Sequence, residues 1–391
     1  MIRNVKLIPV FNSKGNLTVM AKVYTTKEVF SASVPAGTST GKNEAVSLDV
    51  DVAIKRFNSI RTNFTGMDEN EWRDVDTFIR QIDGTENFSN IGANVALAVS
   101  IAVARASVDN DLWRLERKYA KTRFPFPVGN IIGGGAHGGG TTWQEFLLIP
   151  YKAKSIIEAV YTNIEIWKIV GEELRREKLL IGRNIENAWM CKLDEEKTLE
   201  FLSKICEEWK VKLGIDFAAS DFWDGKSYNY KKGKKLSKKE QIEYIVDVAK
   251  RFDLFYLEDP LEEEDFEGFH ILKEELKDRL VIGDDLYCTN VKRLRKGIKN
   301  KSTNGIIIKP NQVGTLSQAE EVVKIAKENK ITPIISHRSA ETEDNWIADL
   351  AIAWRIPFIK TGIMGTERLS KLNRLIELWN SIPNVEMAKV W

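Results

Sequence analysis

The chain has 391 residues, 43% hydrophobic and 29% charged, enough to bury a large fraction of its surface in two domains without disulfides or metal clips. Its 58 basic and 56 acidic residues leave a net charge of +2, which argues against a dedicated nucleic-acid binder, and three cysteines without paired spacing argue against a disulfide framework or a thiolate zinc site. No signal-peptide core opens the sequence, and its most apolar stretch, Ile91 to Ala106, is interrupted by Asn94 and Ser100, so a cytoplasmic protein without a membrane span is expected.

In chain order, Leu7 to Phe11 and Leu17 to Thr25 flank a cluster of turn formers, Asn12 to Asn16, and read as a β-hairpin. A loop of glycines and small hydroxyl residues follows at 33–43, and from about 48 to 120 the pattern is helical, with Ile91 to Ala106 as a buried core helix. Strands first and helices later suggest a small α+β domain over residues 1–124. Pro125 and Pro127 mark the boundary.

From 125 to 391 short β-branched runs alternate with amphipathic segments: 146–149, 211–215, 255–257, 281–283, 306–308, 333–335 and 357–359. Ser237 and Glu240 form a capping box at the start of one intervening helix. The last six runs end in Asp216, Glu258, Asp284, Lys309, His337 and Lys360, at spacings of 23 to 28 residues from Glu258 onward. That repeat and length fit a β/α barrel, whose strand C-termini share one face. A doubly wound open sheet is the structural alternative, but it gathers ligands at one switch point rather than at every strand end.

Three successive strands ending in Asp216, Glu258 and Asp284 supply hard oxygen ligands of the kind Mg²⁺ prefers. Asp259 and Asp285, which follow two of them, read as supporting or capping groups. The next strands bring Lys309, His337, Arg338, Ser339 and Lys360 to the same mouth. A lysine near a divalent cation has its charged form disfavoured and can serve as a base, and an arginine beside a serine hydroxyl makes a phosphate or carboxylate clamp. The lysine-rich run from Lys226 to Lys239 reads as a solvated hairpin insertion, and His270 as a surface helix residue.

The segments SVPAGTSTGKNEA (33–45), QEFLLIP (144–150), LEDP (257–260), GDDLYCTN (283–290), KPNQVGT (309–315), SHRSAETEDNWIADL (336–350) and IKTG (359–362) resemble those of the enolase family, in family order and across nearly the whole chain. The resemblance implies an enolase-type barrel with a smaller N-terminal domain, and the Mg²⁺-dependent, reversible dehydration of 2-phosphoglycerate to phosphoenolpyruvate. It implies Asp216, Glu258 and Asp284 as ligands of a first Mg²⁺, Lys309 as the base at the α-carbon, and Lys360 beside the substrate carboxylate. Arg338 and Ser339 would take the phosphate, with His337 in the same segment. Ser39, in the mobile loop 33–43, would reach a second Mg²⁺. His137 and Glu145 would lie near the phosphate and the departing hydroxyl, with Gln144 supporting. A homodimer or dimer-based oligomer is expected by the same resemblance.

Enolases also carry a Gly-Asp-Glu-Gly-Gly loop whose glutamate helps the hydroxide depart. Anchoring on Gly182 and Ala188 puts Asn184 at that position, with Glu186 two residues on as the candidate replacement. Gly133 stands where an asparagine is usual, and Ala340 where a glycine is. Three readings follow: a working enolase with a relocated acid, an enzyme of the same fold acting on a related phosphorylated α-hydroxy carboxylate, or a non-catalytic paralogue.

Overall fold

The computed structural model describes residues 1–37, 41–116 and 121–390. The predicted hairpin is present and longer than its turn residues alone indicate. Strands β1 (Ile2–Phe11) and β2 (Leu17–Thr25) pair antiparallel, and β3 (Val29–Ser33) continues the meander. Asn12 closes the turn, its side-chain oxygen accepting from the Lys14 and Asn16 N–H groups. Helices α1 (Val50–Asn58), α2 (Trp72–Asp83) and α3 (Ala93–Ser107) follow. Helix α3 lies against β2, β3 and α2 and is buried on all sides, as its nearly unbroken apolar sequence requires.

After the short β4 (Thr122–Phe124) come β5 (Phe126–Gly133), β6 (Glu145–Ile149) and α4 (Ile156–Arg176). The β-ribbon of β7 (Leu180–Arg183) and β8 (Trp189–Cys191) then leads into α5 (Glu195–Trp209) and β9 (Lys212–Asp216). A small hairpin, β10 (Tyr228–Asn229) and β11 (Lys235–Leu236), precedes α6 (Lys238–Arg251), which the predicted capping box opens. Regular alternation follows with β12 (Tyr256–Glu258), α7 (Phe266–Glu275), β13 (Leu280–Gly283) and α8 (Val291–Asn300). It continues with β14 (Gly305–Ile308), α9 (Leu316–Glu328), β15 (Thr332–Ser336), α10 (Trp346–Ala353), β16 (Phe358–Lys360) and α11 (Thr366–Ser381). The last strand, β17 (Val385–Met387), pairs with β4.

Among the described residues, eight strands close a barrel in the order β5, β6, β9, β12, β13, β14, β15, β16, with β16 returning to β5. Phe126, Leu147, Tyr256, Ile282, Ile307, Ile334 and Phe358 form the interior cluster, while the alternate residues of these strands face the helices. The barrel departs from uniform βα repetition in its first quarter. Strand β6 runs antiparallel to both β5 and β9. Strand β5 escaped the sequence reading because Pro127 and Gly129 argue against a central strand. The fold uses both: Pro127 sits opposite Ile359, and a Cβ on Gly129 would meet Ile363 at 2.5 Å.

The antiparallel strand does not disturb the convergence of polar ends. Glu145, the first residue of β6, stands opposite Asp216, the last of β9, so both reach the same mouth. The small domain is moored to this rim. Ala36 bridges Ala340, Trp346 Nε1 donates to the Ser33 carbonyl at 3.1 Å, and Arg105 pairs with Asp344. No helix of the described residues is long and apolar enough to cross a membrane.

Candidate active site

One cavity at the barrel mouth is lined by His137, Gln144, Glu145, Glu186, Asp216, Asp284, Lys309, His337, Arg338, Ser339 and Lys360, so nearly all the residues singled out from sequence meet there. Glu258 lies beneath its floor, fully buried. Ser39 falls outside the described residues.

The floor is a charge network. Lys360 Nζ donates to Asp216 Oδ2 at 2.7 Å and Glu258 Oε1 at 2.9 Å, and lies 3.1 Å from Glu145 Oε2. Burial alone would favour its neutral amine, but Asp216, Glu145 and Glu258 outweigh that and hold its pKa well above the usual lysine value. Glu258 also accepts from Tyr256 Oη at 2.7 Å. Burial and the neighbouring Asp216 charge push the Glu258 carboxyl up to about 8. Gln144 Nε2 reaches Asp216 Oδ2 at 3.4 Å.

Lys309 is anchored by its backbone N–H, which donates to Thr289 Oγ1 at 2.9 Å, and its amine pairs with Asp284 Oδ2. Among the described residues the second Asp284 oxygen is buried with no partner. Burial again works against the lysine charge, and Asp284 again overrides it, so in the protein alone Lys309 is held above the ordinary lysine range rather than below it. Asp259 caps the following turn by accepting from the Asp284 and Asp285 N–H groups at 2.9 and 2.7 Å, the supporting part expected of it. Among the described residues, the groups whose ligand atoms already lie within 4.8 Å of one another are Asp259, Asp284, Asp285 and, separately, His137, Glu145, Glu186. In the expected trio, Lys360 bridges Asp216 and Glu258 while Lys309 engages Asp284.

In the acid loop the structure brings the candidate replacement Glu186, not Asn184, to the mouth. Asn184 does not present its side chain to the mouth. Its Oδ1 accepts from the Glu186 and Ala188 N–H groups at 2.9 and 3.0 Å, which fixes the turn between β7 and β8. Asn187 takes a left-handed φ of 62° in that turn. The carboxylate delivered to the cavity is that of Glu186, which is 2% exposed. Gly133 is matched to this arrangement, because a Cβ there would lie 2.2 Å from Asn184 Nδ2.

Glu186 accepts from Asn130 Nδ2 at 3.3 Å and lies 3.8 Å from His337 Nε2. Burial opposes its charge, but the permanent cations Arg368 and Lys360 prevail and hold it below the usual carboxylate range, with the neutral His337 ring beside it. Its neighbour Glu145 goes the other way. Burial, with the negative Glu186, Asp216 and Glu258 nearby, lifts Glu145 well above the carboxylate range despite Lys360. Two adjoining carboxyl groups driven apart in this way hold one proton between them.

Arg338 lines the mouth opposite Asp284 and is also engaged by the small domain. Its guanidinium donates to Glu44 Oε2 at 3.0 Å and Oε1 at 3.2 Å, and to Asn311 Oδ1 at 3.2 Å. His137 sits on a short helical turn, Gly135 to His137, in the glycine-rich loop. The lysine-rich run supports that loop through Lys231, whose amine donates to the Gly135 and Gly139 carbonyls at 3.1 and 3.2 Å. Lys232 and Lys238 are paired with Asp194 and Glu262. His270 is half-buried on α7, away from the mouth. Three contributors were not singled out in sequence: Glu44, inside a quoted segment; Asn130, on the unread β5; and Arg368, on α11.

Comparison with known proteins agrees with this architecture. The profile described as enolase, N-terminal domain, matches residues 2–116, and that described as enolase, C-terminal TIM barrel domain, matches 121–388. The chain is 41% identical to the enolase of Archaeoglobus fulgidus, with 100% of each chain covered. It is 40% identical to that of Methanosphaera stadtmanae, covering 99% of each, and 40% identical to that of Picrophilus torridus, covering 96% of this chain and 98% of the other. With both domain profiles matched and full-length relatives at this identity, the chain belongs to the enolase family.

Proposed function

We propose that the chain is a working enolase, a Mg²⁺-dependent hydro-lyase interconverting 2-phosphoglycerate and phosphoenolpyruvate. The observation that carries this reading is the Glu145 carboxyl at the mouth, held protonated by burial beside the ionised Glu186, a pair that supplies the acid Asn184 cannot. Lys309 takes the proton from the α-carbon. The hydroxyl on the neighbouring carbon departs with the proton held by the Glu145–Glu186 pair and leaves as water. Arg338 and Ser339 bind the phosphate, while His137 and Gln144 line the side from which the hydroxyl leaves. Lys360 fixes the carboxylates beneath the substrate carboxylate.

The residues fit Mg²⁺. The donors are all oxygens, the Asp284 Oδ1 atom is buried without a partner, and the crowding that lifts Glu258 to about 8 is relieved by further positive charge. Asp216, Glu258 and Asp284 would hold the first ion, and Ser39 with the substrate a second. Mg²⁺ bound there neutralises the substrate carboxylate and the negative charge that gathers on it as the α-proton leaves. Asp284 is the carboxylate that keeps the Lys309 amine protonated, so another positive partner for Asp284 would leave Lys309 free to accept the proton.

An absorbance assay for phosphoenolpyruvate formed from 2-phosphoglycerate with Mg²⁺ tests the reading. Steady turnover is expected. Mg²⁺ binding without turnover would point instead to a related phosphorylated hydroxy acid, and absence of Mg²⁺ binding to a non-catalytic paralogue. Family membership also supports a dimer-based assembly, which light scattering of the purified chain checks.

A further inference from the structure

Helix α11 carries two cations, Arg368 and Lys371, on its buried face. Both turn toward the segment that bears His337, Arg338 and Ser339. Arg368 is fully buried; its Nη1 group donates to His337 Nδ1 and to the Arg338 carbonyl, each at 2.7 Å, and its Nη2 group to the Ser339 carbonyl at 3.0 Å. Lys371 donates to the Thr342 carbonyl at 2.6 Å and pairs with Glu341, which in turn accepts from the Arg338 N–H. Taking a guanidinium out of water is costly, and here three directed hydrogen bonds compensate for it.

A guanidinium can only donate, so the His337 Nδ1 atom that it meets must carry a lone pair and the ring proton must sit on Nε2. That Nε2 atom points toward Glu186 Oε2, 3.8 Å away. The other charged groups facing the ring are Lys360 and Lys309, both cations that disfavour a charged imidazole. We propose that Arg368 is a positioning residue that locks His337 as the neutral Nε2–H tautomer and splints the Arg338–Ser339 backbone. So fixed, His337 is a standing N–H donor toward Glu186 and the reacting region. It does not exchange protons itself, since giving up its one ring proton would leave an imidazolate. The acid proton therefore stays with the Glu145–Glu186 pair.

The significance for turnover rests on the enolase reading, but the lock can be read without turnover. The chain has only three histidines, so ¹⁵N-histidine labelling of the full protein gives three assignable rings, with His337→Gln identifying the third. In long-range ¹⁵N–¹H spectra between about pH 5.5 and 8.5, the His337 ring is expected to stay in the Nε2–H form with no midpoint. Arg368→Leu should introduce Nδ1–H character, while burial with Lys360 and Lys309 still keeps the ring neutral. Arg368→Lys, which can still donate to Nδ1, should keep the tautomer while loosening substrate binding as a raised KM. A wild-type His337 that titrates or carries its proton on Nδ1 overturns the proposal, whether or not the variants fold. An unchanged tautomer in Arg368→Leu overturns it too. A locked His337 in a protein without turnover would instead contradict the function proposed above.

Discussion

Lys360 is buried and Lys309 half-buried at the barrel mouth, and their surroundings are built to opposite ends. Lys360 touches three carboxylates, Asp216, Glu258 and Glu145, at 2.7 to 3.1 Å, whereas Lys309 has Asp284, whose other oxygen is unsatisfied. Lys360 is the deeper, 4% of its side chain exposed against 15% for Lys309, and the number and accessibility of the counter-charges further separate their roles. A lysine encased by three carboxylates is a permanent cation. One held by a single carboxylate that a metal can claim is a proton acceptor in waiting.

Replacing each lysine by methionine breaks the comparison in different observables. Lys309→Met should lower kcat by about 10²- to 10⁴-fold, with a smaller change in stability, measured by the phosphoenolpyruvate assay and urea unfolding. Lys360→Met strands three buried carboxylates and should cost about 3–5 kcal/mol of stability in the metal-free protein, with partial recovery in Mg²⁺. Equal stability losses in the two variants would contradict the distinction.

The carboxylates make a pH prediction. A carboxyl raised in the folded state to about 8 for Glu258, or about 7 for Asp285, binds protons more tightly folded than unfolded. Stability of the metal-free protein should therefore decline as pH rises through that window. His337, held neutral in the fold with its pKa well below the ordinary value, acts in the opposite sense only below about 6.5, where an unfolded histidine takes up its proton. The clean interval is therefore about pH 6.5 to 8, where thermal unfolding in EDTA should show falling Tm and Glu258→Gln a flatter slope. Mg²⁺ at a hundredfold its Kd should stabilise by about 2.7 kcal/mol, and a fixed Mg²⁺ concentration should stabilise more at pH 8 than at 6.5. A Tm that rises across this interval in EDTA would refute the proton assignment.

The smallest effect belongs to Asn184. An aspartate keeps the oxygen that accepts the Glu186 and Ala188 N–H groups, so Asn184→Asp should leave kcat within a fewfold of wild type. Asn184→Ala should cost about 1–3 kcal/mol by leaving those donors unsatisfied. A gain of activity in Asn184→Glu would show that the acid position is vacant.

Much of this site could be read from the chain because β/α geometry places strand-end residues together whatever lies between them. The residues from Asp216 to Lys360 needed only the strand period to be assembled. Strand β5 was hidden because Pro127 and Gly129 are locally poor strand residues that tertiary packing overrides, and Asn130 was hidden with it. In the acid loop, spacing pointed to both Asn184 and Glu186 but could not fix which side chain faces inward. That was decided by the Asn184 side-chain hydrogen bonds, the left-handed Asn187 and the space left by Gly133. Arg368 and Glu44 act from another helix and another domain, at separations that no local pattern records.

The central claim is that Lys309 removes the α-proton while the Glu145–Glu186 pair releases the hydroxyl. Glu186→Gln with Mg²⁺ in D₂O separates the two events. The predicted result is continued exchange of the substrate α-proton with solvent while phosphoenolpyruvate formation falls by about 10²- to 10⁴-fold. Undiminished phosphoenolpyruvate formation in Glu186→Gln would contradict it.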